Sequence, residues 1–170
     1  LKIDHEKGEA RVEPGLVLDQ LNAQLKRHGL FFPVDVSTSS RATLGGMTGN
    51  NSCGARSIRY GKMVDNVLGV EALLQNGEKI QFGEVDPKSL NGKHPSTRDH
   101  LLQQLFQIGI READEVRQRF PEVQRRVGGY NIDELIPPDH GVLNPARLLV
   151  GSEGTLAFST SIHLKLQPIP

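Results

Sequence analysis

The sequence has 170 residues, 36% of them hydrophobic, which suffices for one domain with a core of its own. Its 20 basic and 20 acidic residues cancel to a net charge of zero, and no basic face stands out, so nucleic acid is excluded as a partner class. No apolar run nears the ~20 residues of a membrane span, and the single cysteine, Cys53, makes no internal disulfide; with no leader-like segment, a reducing, cytoplasmic setting is expected.

In chain order, LKIDHEKGEARVEPG predicts two strands around a turn at Glu6–Gly8. Residues 16–28 form an amphipathic helix, with Leu18, Leu21 and Leu25 on one face and Gly29 as the stop. Residues 67–74 and 79–82 are strands joined by Asn76-Gly77, and Ile80 and Phe82 alternate with polar neighbours. Residues 86–97, with Pro87, Gly92 and Pro95, are a loop. Thr97 is the expected cap of a helix over 98–108 whose apolar face is Leu101, Leu102, Leu105 and Phe106. A charged helix follows over 111–120, stopped by Pro121. Residues 136–145 are rich in turn formers. The alternation Leu156, Phe158, Ile162, Leu164, Leu166 predicts a closing strand over 155–166. Strands at both ends and helices in between imply an α+β fold with an antiparallel sheet.

The run PVDVSTSSRATLGGMTGNNSCGARSIRYG, residues 33–61, carries the most information about function. Its middle is almost wholly Gly, Ser, Thr and Asn. Such residues let a backbone approach an acceptor-rich ligand closely, so a dinucleotide or other phosphate ligand is the first expectation. A flexible linker has the same composition. Apolar punctuation by Leu44, Met47, Ile58 and Tyr60 argues against it. The glycines form no GxGxxG behind a strand, so a Rossmann site is not indicated.

This run, with LVGSEGTLAF at 149–158, GYNI at 129–132 and NVLGVEALLQNG at 66–77, resembles a known family. The motifs are similar, in the same order, to those of FAD-linked oxidases of the vanillyl-alcohol oxidase and p-cresol methylhydroxylase type. The nearest resemblance is to the bacterial D-2-hydroxyacid dehydrogenases acting on D-lactate, D-2-hydroxyglutarate or glycolate. It implies the second subdomain of the p-cresol methylhydroxylase-type FAD-binding fold, an antiparallel sheet flanked by helices. Residues 1–170 would be one fragment of that FAD-binding domain, with a helical insert at about 86–145. The loop for the FAD pyrophosphate and the substrate-binding cap would lie outside this sequence, and the isolated fragment is expected to be colourless and inactive.

By the same resemblance, Pro33, Val34, Asp35, Val36 and Ser37 run beside the flavin. Thr43, Leu44, Gly45 and Gly46 match a TIGG segment whose amides and hydroxyl suit phosphate or ribityl oxygens. Asn51, Ser52, Cys53 and Gly54 match a second cofactor loop, and Tyr60 and Gly61 complete the cofactor-binding set. Glu153, Gly154, Thr155, Ala157 and Phe158 match the segment closing over the nucleotide, with Ala157 and Phe158 departing from the family's glycine and isoleucine.

Cys53 reads as a small loop filler ahead of a covalent flavin attachment point. The six histidines, His5, His28, His94, His100, His140 and His163, form no ligand cluster, so no metal is expected. Arg125 and Arg126 offer either an anion anchor or a solvated helix end. Glu153 could cap the following segment or bond a ribose hydroxyl. No residue stands out as a catalytic base. The activity implied is oxidation of a small-molecule D-2-hydroxyacid to a 2-oxoacid, with hydride passing to FAD and an electron acceptor left open. The protein would be cytoplasmic, without a membrane span, or peripheral to the membrane. Iron–sulfur clusters elsewhere in the parent chain belong to the long members of the family. The alternatives are another substrate on the same fold, or a nucleotide-binding module without activity.

Overall fold

A computed structural model of the chain describes residues 1–90, 92, 95–138 and 141–170. His94 and His140, and those parts of the two expected loops at 91, 93–94 and 139–140, lie outside the described residues. The centre of the fold is a five-stranded antiparallel sheet. Its strands are β1 (Lys2–Asp4), β2 (Glu9–Val12), β4 (Val67–Leu73), β5 (Lys79–Gly83) and β6 (Phe158–Lys165), in spatial order β1-β2-β6-β4-β5. A two-residue ladder pairs β3 (Leu30–Phe31) with β7 (Gln167–Pro168). Helices flank the sheet, giving the α+β class expected.

Alternation explains the sheet's two faces. Ala10, Val12, Val70, Ala72, Ile80, Phe82, Ile162 and Leu164 are buried in one core cluster. Between them, Glu9, Arg11, Glu71, Gln81 and His163 are not buried, and His163 Nε2 lies 2.9 Å from Glu9 Oε2. Helix α1 (Leu18–Leu25) buries Leu18, Leu21 and Leu25 as its spacing predicts, continues as a 3-10 turn over Lys26–His28, and stops at Gly29 in the left-handed region.

The closing strand departs from its simple alternation. It starts at Phe158, so Leu156 precedes it, and both residues are exposed. A bulge between Glu71 and Ala72 places Ser161 and Ser159 opposite them and skips Thr160, whose hydroxyl donates to the Glu71 carbonyl (3.1 Å). An extra residue reverses the side-chain phase, so Phe158 leaves the core that Ile162 and Leu164 occupy.

The glycine-rich run contains more regular structure than its composition suggests. It forms two short helices, α2 (Leu44–Gly49) and α3 (Ser57–Tyr60), and a third, α4 (Met63–Asn66), follows directly. Leu44 and Met47 insert into the main core, so this segment does contribute to it. Burial of those two side chains outweighs the poor helix propensity of the glycines.

Between β5 and α7 (Ala146–Leu149) lie α5 (Thr97–Arg111) and α6 (Ala113–Arg119), with 3-10 turns at Pro87–Leu90 and Ile132–Leu135. The cap of α5 is Ser96, not Thr97. Its hydroxyl accepts from Asp99 N–H, and the Asp99 carboxylate accepts from Ser96 N–H (2.9 Å). That pairing holds the Asp99 carboxyl below its usual value. Leu102 and Phe106 are buried as predicted, with Leu101 and Leu105 half-buried. Gly109 is buried too, because an added Cβ there would overlap the Leu135 carbonyl oxygen.

Candidate functional site

Helix α7 (Ala146–Leu149) and the turn after it bring the second motif against the first. The Gly151 N–H donates to the Thr48 carbonyl (2.9 Å), and the Glu153 N–H to the Gly49 carbonyl (3.0 Å). The two non-glycine residues of positive φ, among those described, sit at this seam: Asn51 (47°) and Glu153 (52°). Left-handed backbone costs about 1–2 kcal/mol at such residues. Asn51 is buried, and its Oδ1 accepts from the Val64 N–H (3.0 Å). Glu153 is exposed, and its carboxylate has no hydrogen-bond or ion-pair partner among the described residues. Strain at an exposed side chain with no local compensation is typical of ligand-binding turns.

A groove of about 340 Å³ opens along this seam. It is lined by Thr43, Gly45, Gly46, Gly154, Ala157 and Phe158 from the expected set, and by Pro14, Gly15, Gly49, Leu149, Ser152 and Ser159 besides. The second group was missed for identifiable reasons. Gly49 and Ser152 lie inside the two motifs but between the residues singled out, and Pro14-Gly15 carries only a turn signal.

The two glycines of the GG pair differ. The Gly45 N–H donates to the Pro14 carbonyl (2.8 Å), and a Cβ there would lie 2.6 Å from the Pro14 Cβ. Gly45 is therefore required by packing. At Gly46 the nearest atom to an added Cβ is Thr43 Oγ1, 3.2 Å away, and the residue is exposed. Its surroundings leave room for a ligand. The expected amide donation from this turn is taken up internally. Leu44 N–H donates to Leu16, Gly45 N–H to Pro14, and Gly46 N–H to Thr43 Oγ1. What the turn offers a ligand is close approach and the Thr43 O–H. Gly154 N–H, in contrast, has no protein acceptor among the described residues.

The 33–37 and 51–54 loops meet at a second point. An added Cβ at Gly54 would overlap the Asp35 carbonyl, and Asp35 Oδ1 accepts from the Arg56 N–H (3.0 Å). Arg125 Nη2 donates to the Gly54 carbonyl (3.2 Å). Arg126 pairs with Asp133, lies 4.6 Å from the Phe120 ring centroid, and accepts Lys62 Nζ at its carbonyl. Neither arginine is on a helix end, since α6 stops at Arg119. Cys53 and Ser52 are half-buried in this loop, and Cys53 is a free thiol. Thr155 Oγ1 is within 2.8 Å of the Tyr130 hydroxyl and donates to the Ser152 carbonyl.

Other candidates lie apart from the groove. Pro33, Val34 and Leu44 are buried, which leaves only their backbone for a ligand. Val36 packs against the core, and Ser37 is exposed. Tyr60 stacks edge-on with Phe31 in a different groove. Gly61 makes a turn, with an added Cβ 2.6 Å from Asp65 Oδ2.

Residues 1–83 match the FAD binding domain family. The chain is 38% identical, over its whole length, to D-2-hydroxyglutarate dehydrogenase of Pantoea ananatis, covering 17% of that protein. It is 32% identical to the glycolate oxidase subunit GlcD of Bacillus subtilis, covering 26% of it. Against the mitochondrial cytochrome-linked D-lactate dehydrogenase of Arabidopsis thaliana, identity is 30% over 94% of this chain and 19% of that one. The chain thus spans less than a third of each of these relatives. Among solved structures, alkyldihydroxyacetonephosphate synthase superposes on the whole chain with a TM-score of 0.58 at 18% identity, covering 21% of that protein. The chain therefore shares its fold, an antiparallel sheet flanked by helices, with part of that enzyme.

Proposed function

We propose, from the membership of residues 1–83 in the FAD binding domain family, that this chain forms one wall of the FAD site of a D-2-hydroxyacid dehydrogenase. The observation that carries the reading is the groove lined by residues of 43–49 and 149–159, whose two segments are joined by the Gly151–Thr48 and Glu153–Gly49 backbone bonds. The fit to part of a flavin dinucleotide is good. Gly46 and Gly49 allow close approach, the Gly154 N–H is open to an acceptor, and exposed Phe158 adds an apolar wall. A groove of about 340 Å³ holds a segment of such a ligand and not the whole. Residues 1–170, with the insert at about 86–145, are one FAD-binding unit in this reading.

Bound FAD would supply the hydride acceptor for the substrate's α-carbon. The chain's own residues bind and orient. Thr43 Oγ1 accepts the Gly46 N–H, which leaves its hydroxyl proton for a ribityl or phosphate oxygen. Asn51 holds the seam through Val64, and the unpaired Glu153 carboxylate suits a ribose hydroxyl. Asp35 ties the 33–37 loop to 51–56, keeping both on one side of the site.

The substrate is a small D-2-hydroxyacid, and electrons leave to an acceptor other than NAD. The protein works in the cytoplasm or at the membrane surface; among the described residues no helix is long and apolar enough to cross a membrane. The test uses the protein as its gene encodes it, purified and assayed for flavin and for oxidation of D-lactate, D-2-hydroxyglutarate and their L-isomers with a dye acceptor. Bound FAD and D-selective dye reduction are expected. Strict nicotinamide dependence without flavin would overturn the reading, and flavin without turnover of any hydroxyacid would reduce it to a binding module.

A further inference from the structure

The GYNI motif, residues 129–132, lines no part of the groove, yet it lies against the turn that closes it. Asn131 is buried, and its Nδ2 donates to the Arg147 (3.2 Å) and Val150 (2.8 Å) carbonyls at the C-terminal end of α7. Gly151 sits where the motifs meet. A Cβ added there would lie 3.3 Å from the Asn51 Cβ and 3.5 Å from the Gly129 carbonyl oxygen. Residues 129–131 are therefore fixed against both segments of the seam, independently of the Tyr130 side chain.

The Tyr130 hydroxyl lies 2.8 Å from Thr155 Oγ1. The neighbours set the direction of that bond. Thr155 gives its single hydroxyl proton to the Ser152 carbonyl (2.6 Å), to which its own N–H also donates (3.0 Å). Tyr130 is then the donor. Between Ser152 and Thr155 the backbone is left-handed at both Glu153 and Gly154, with φ of 52° and 74°. Neither residue has a side-chain tie to the rest of the fold. Among the described residues, the Tyr130 hydroxyl makes the one side-chain hydrogen bond that joins 153–156 to anything beyond Ser152. Tyr130 is itself exposed, so what it supplies is position more than burial.

We propose that Tyr130 is a positioning residue of the cofactor site. Its hydroxyl, acting through Thr155, fixes the turn that presents the open Gly154 N–H and the Glu153 carboxylate to the ligand. The inference rests on the flavin reading above and adds a residue outside the set the resemblance implies. A turn held in its bound shape lowers the ordering cost of binding.

The test uses the complete protein, stripped of flavin and titrated with FAD by fluorescence. Tyr130→Phe removes one hydroxyl and keeps the ring. It should weaken FAD binding about threefold to tenfold, the range of one neutral hydrogen bond, and alter the visible circular dichroism of the bound flavin. Apo melting should shift little, because Thr155 keeps its own bonds to Ser152. In the Thr155→Val background, which lacks the acceptor, Tyr130→Phe should have no further effect on FAD binding. In Thr155→Ser, which keeps the hydroxyl, the effect should return. A fall in apo melting with an unchanged dissociation constant would make Tyr130 purely structural and overturn the proposal. An effect of equal size in the Thr155→Val background would overturn it too. A parent protein that binds no FAD would sink the flavin reading and this inference together. A parent that binds FAD and ignores Tyr130→Phe would sink this inference alone.

Discussion

The seam of 43–54 with 149–158 and the helices 97–119 solve the same packing problem by opposite means. Each depends on a glycine with no room for a side chain: Gly45 against Pro14, Gly109 against the Leu135 carbonyl. The helical region surrounds its contact with buried Leu102, Phe106 and Val116 and a complete capping box. The seam instead joins segments distant in sequence through backbone hydrogen bonds, and it keeps positive φ at Asn51 and Glu153. One region is built for stability. The other retains strain and a free amide, as a ligand site does.

The largest expected effect breaks the helical region alone. Gly109→Ala forces the Leu135 carbonyl to move, and overpacking against backbone should cost about 3 kcal/mol or more. Denaturation should show the loss, while flavin per folded molecule stays constant. A parallel loss of flavin would mean the two regions are not separable.

Next comes the pair that splits the seam itself. Gly45→Ala meets Pro14 and should destabilise apo and holo forms alike by about 1–3 kcal/mol. The Cβ of Gly46→Val lies 3.2 Å from the Thr43 hydroxyl and from no backbone atom, so apo melting should fall less than for Gly45→Ala while flavin is lost. Full flavin occupancy in the Gly46 variant would remove this turn from the cofactor site.

Ser96→Ala should cost about 1 kcal/mol, the usual loss of an N-cap. Its partner Asp99 adds a pH signature. Hydrogen bonds from the Ser96 N–H, then its hydroxyl, hold the folded carboxyl below the unfolded value. Its contribution is therefore present above the unfolded pKa and lost as pH falls through the folded one. Asp99→Asn should differ from the parent at neutral pH and converge with it in acid, in melting curves run across that range.

The smallest effect is at Glu153. Replacement by glycine relieves left-handed backbone but frees the unfolded chain, so apo stability should stay within about 0.5 kcal/mol. Flavin affinity should still fall if the carboxylate bonds the ribose, which a fluorescence titration would register.

Much of the fold was legible because it is local. Leu18, Leu21 and Leu25 recur at helical spacing, and Ile80 and Phe82 alternate beside Asn76-Gly77. Both patterns are inherited directly by α1 and β5. The pairing of the two motifs in one groove was legible only through resemblance. What stayed hidden depends on partners far along the chain. The acceptors of the 44–46 amides include the Leu16 and Pro14 carbonyls, the bulge at Thr160 needs Glu71, and Tyr60 turns to Phe31 and a separate groove. No local pattern in the glycine-rich run announces α2, whose existence rests on burial of Leu44 and Met47.

The place of β6 in the sheet has a consequence for how the molecule is made. It lies between β2 and β4, yet it follows all of α5, α6 and α7 in sequence. Until it arrives, β1-β2 and β4-β5 are two separate hairpins with open edges, each marginal alone in water. During synthesis the helices 97–119 should therefore acquire structure first, and the sheet should close late and slowly, over a long loop. Nascent chains halted before Phe158 would expose the inner edges of β2 and β4, the strand edges most open to intermolecular pairing.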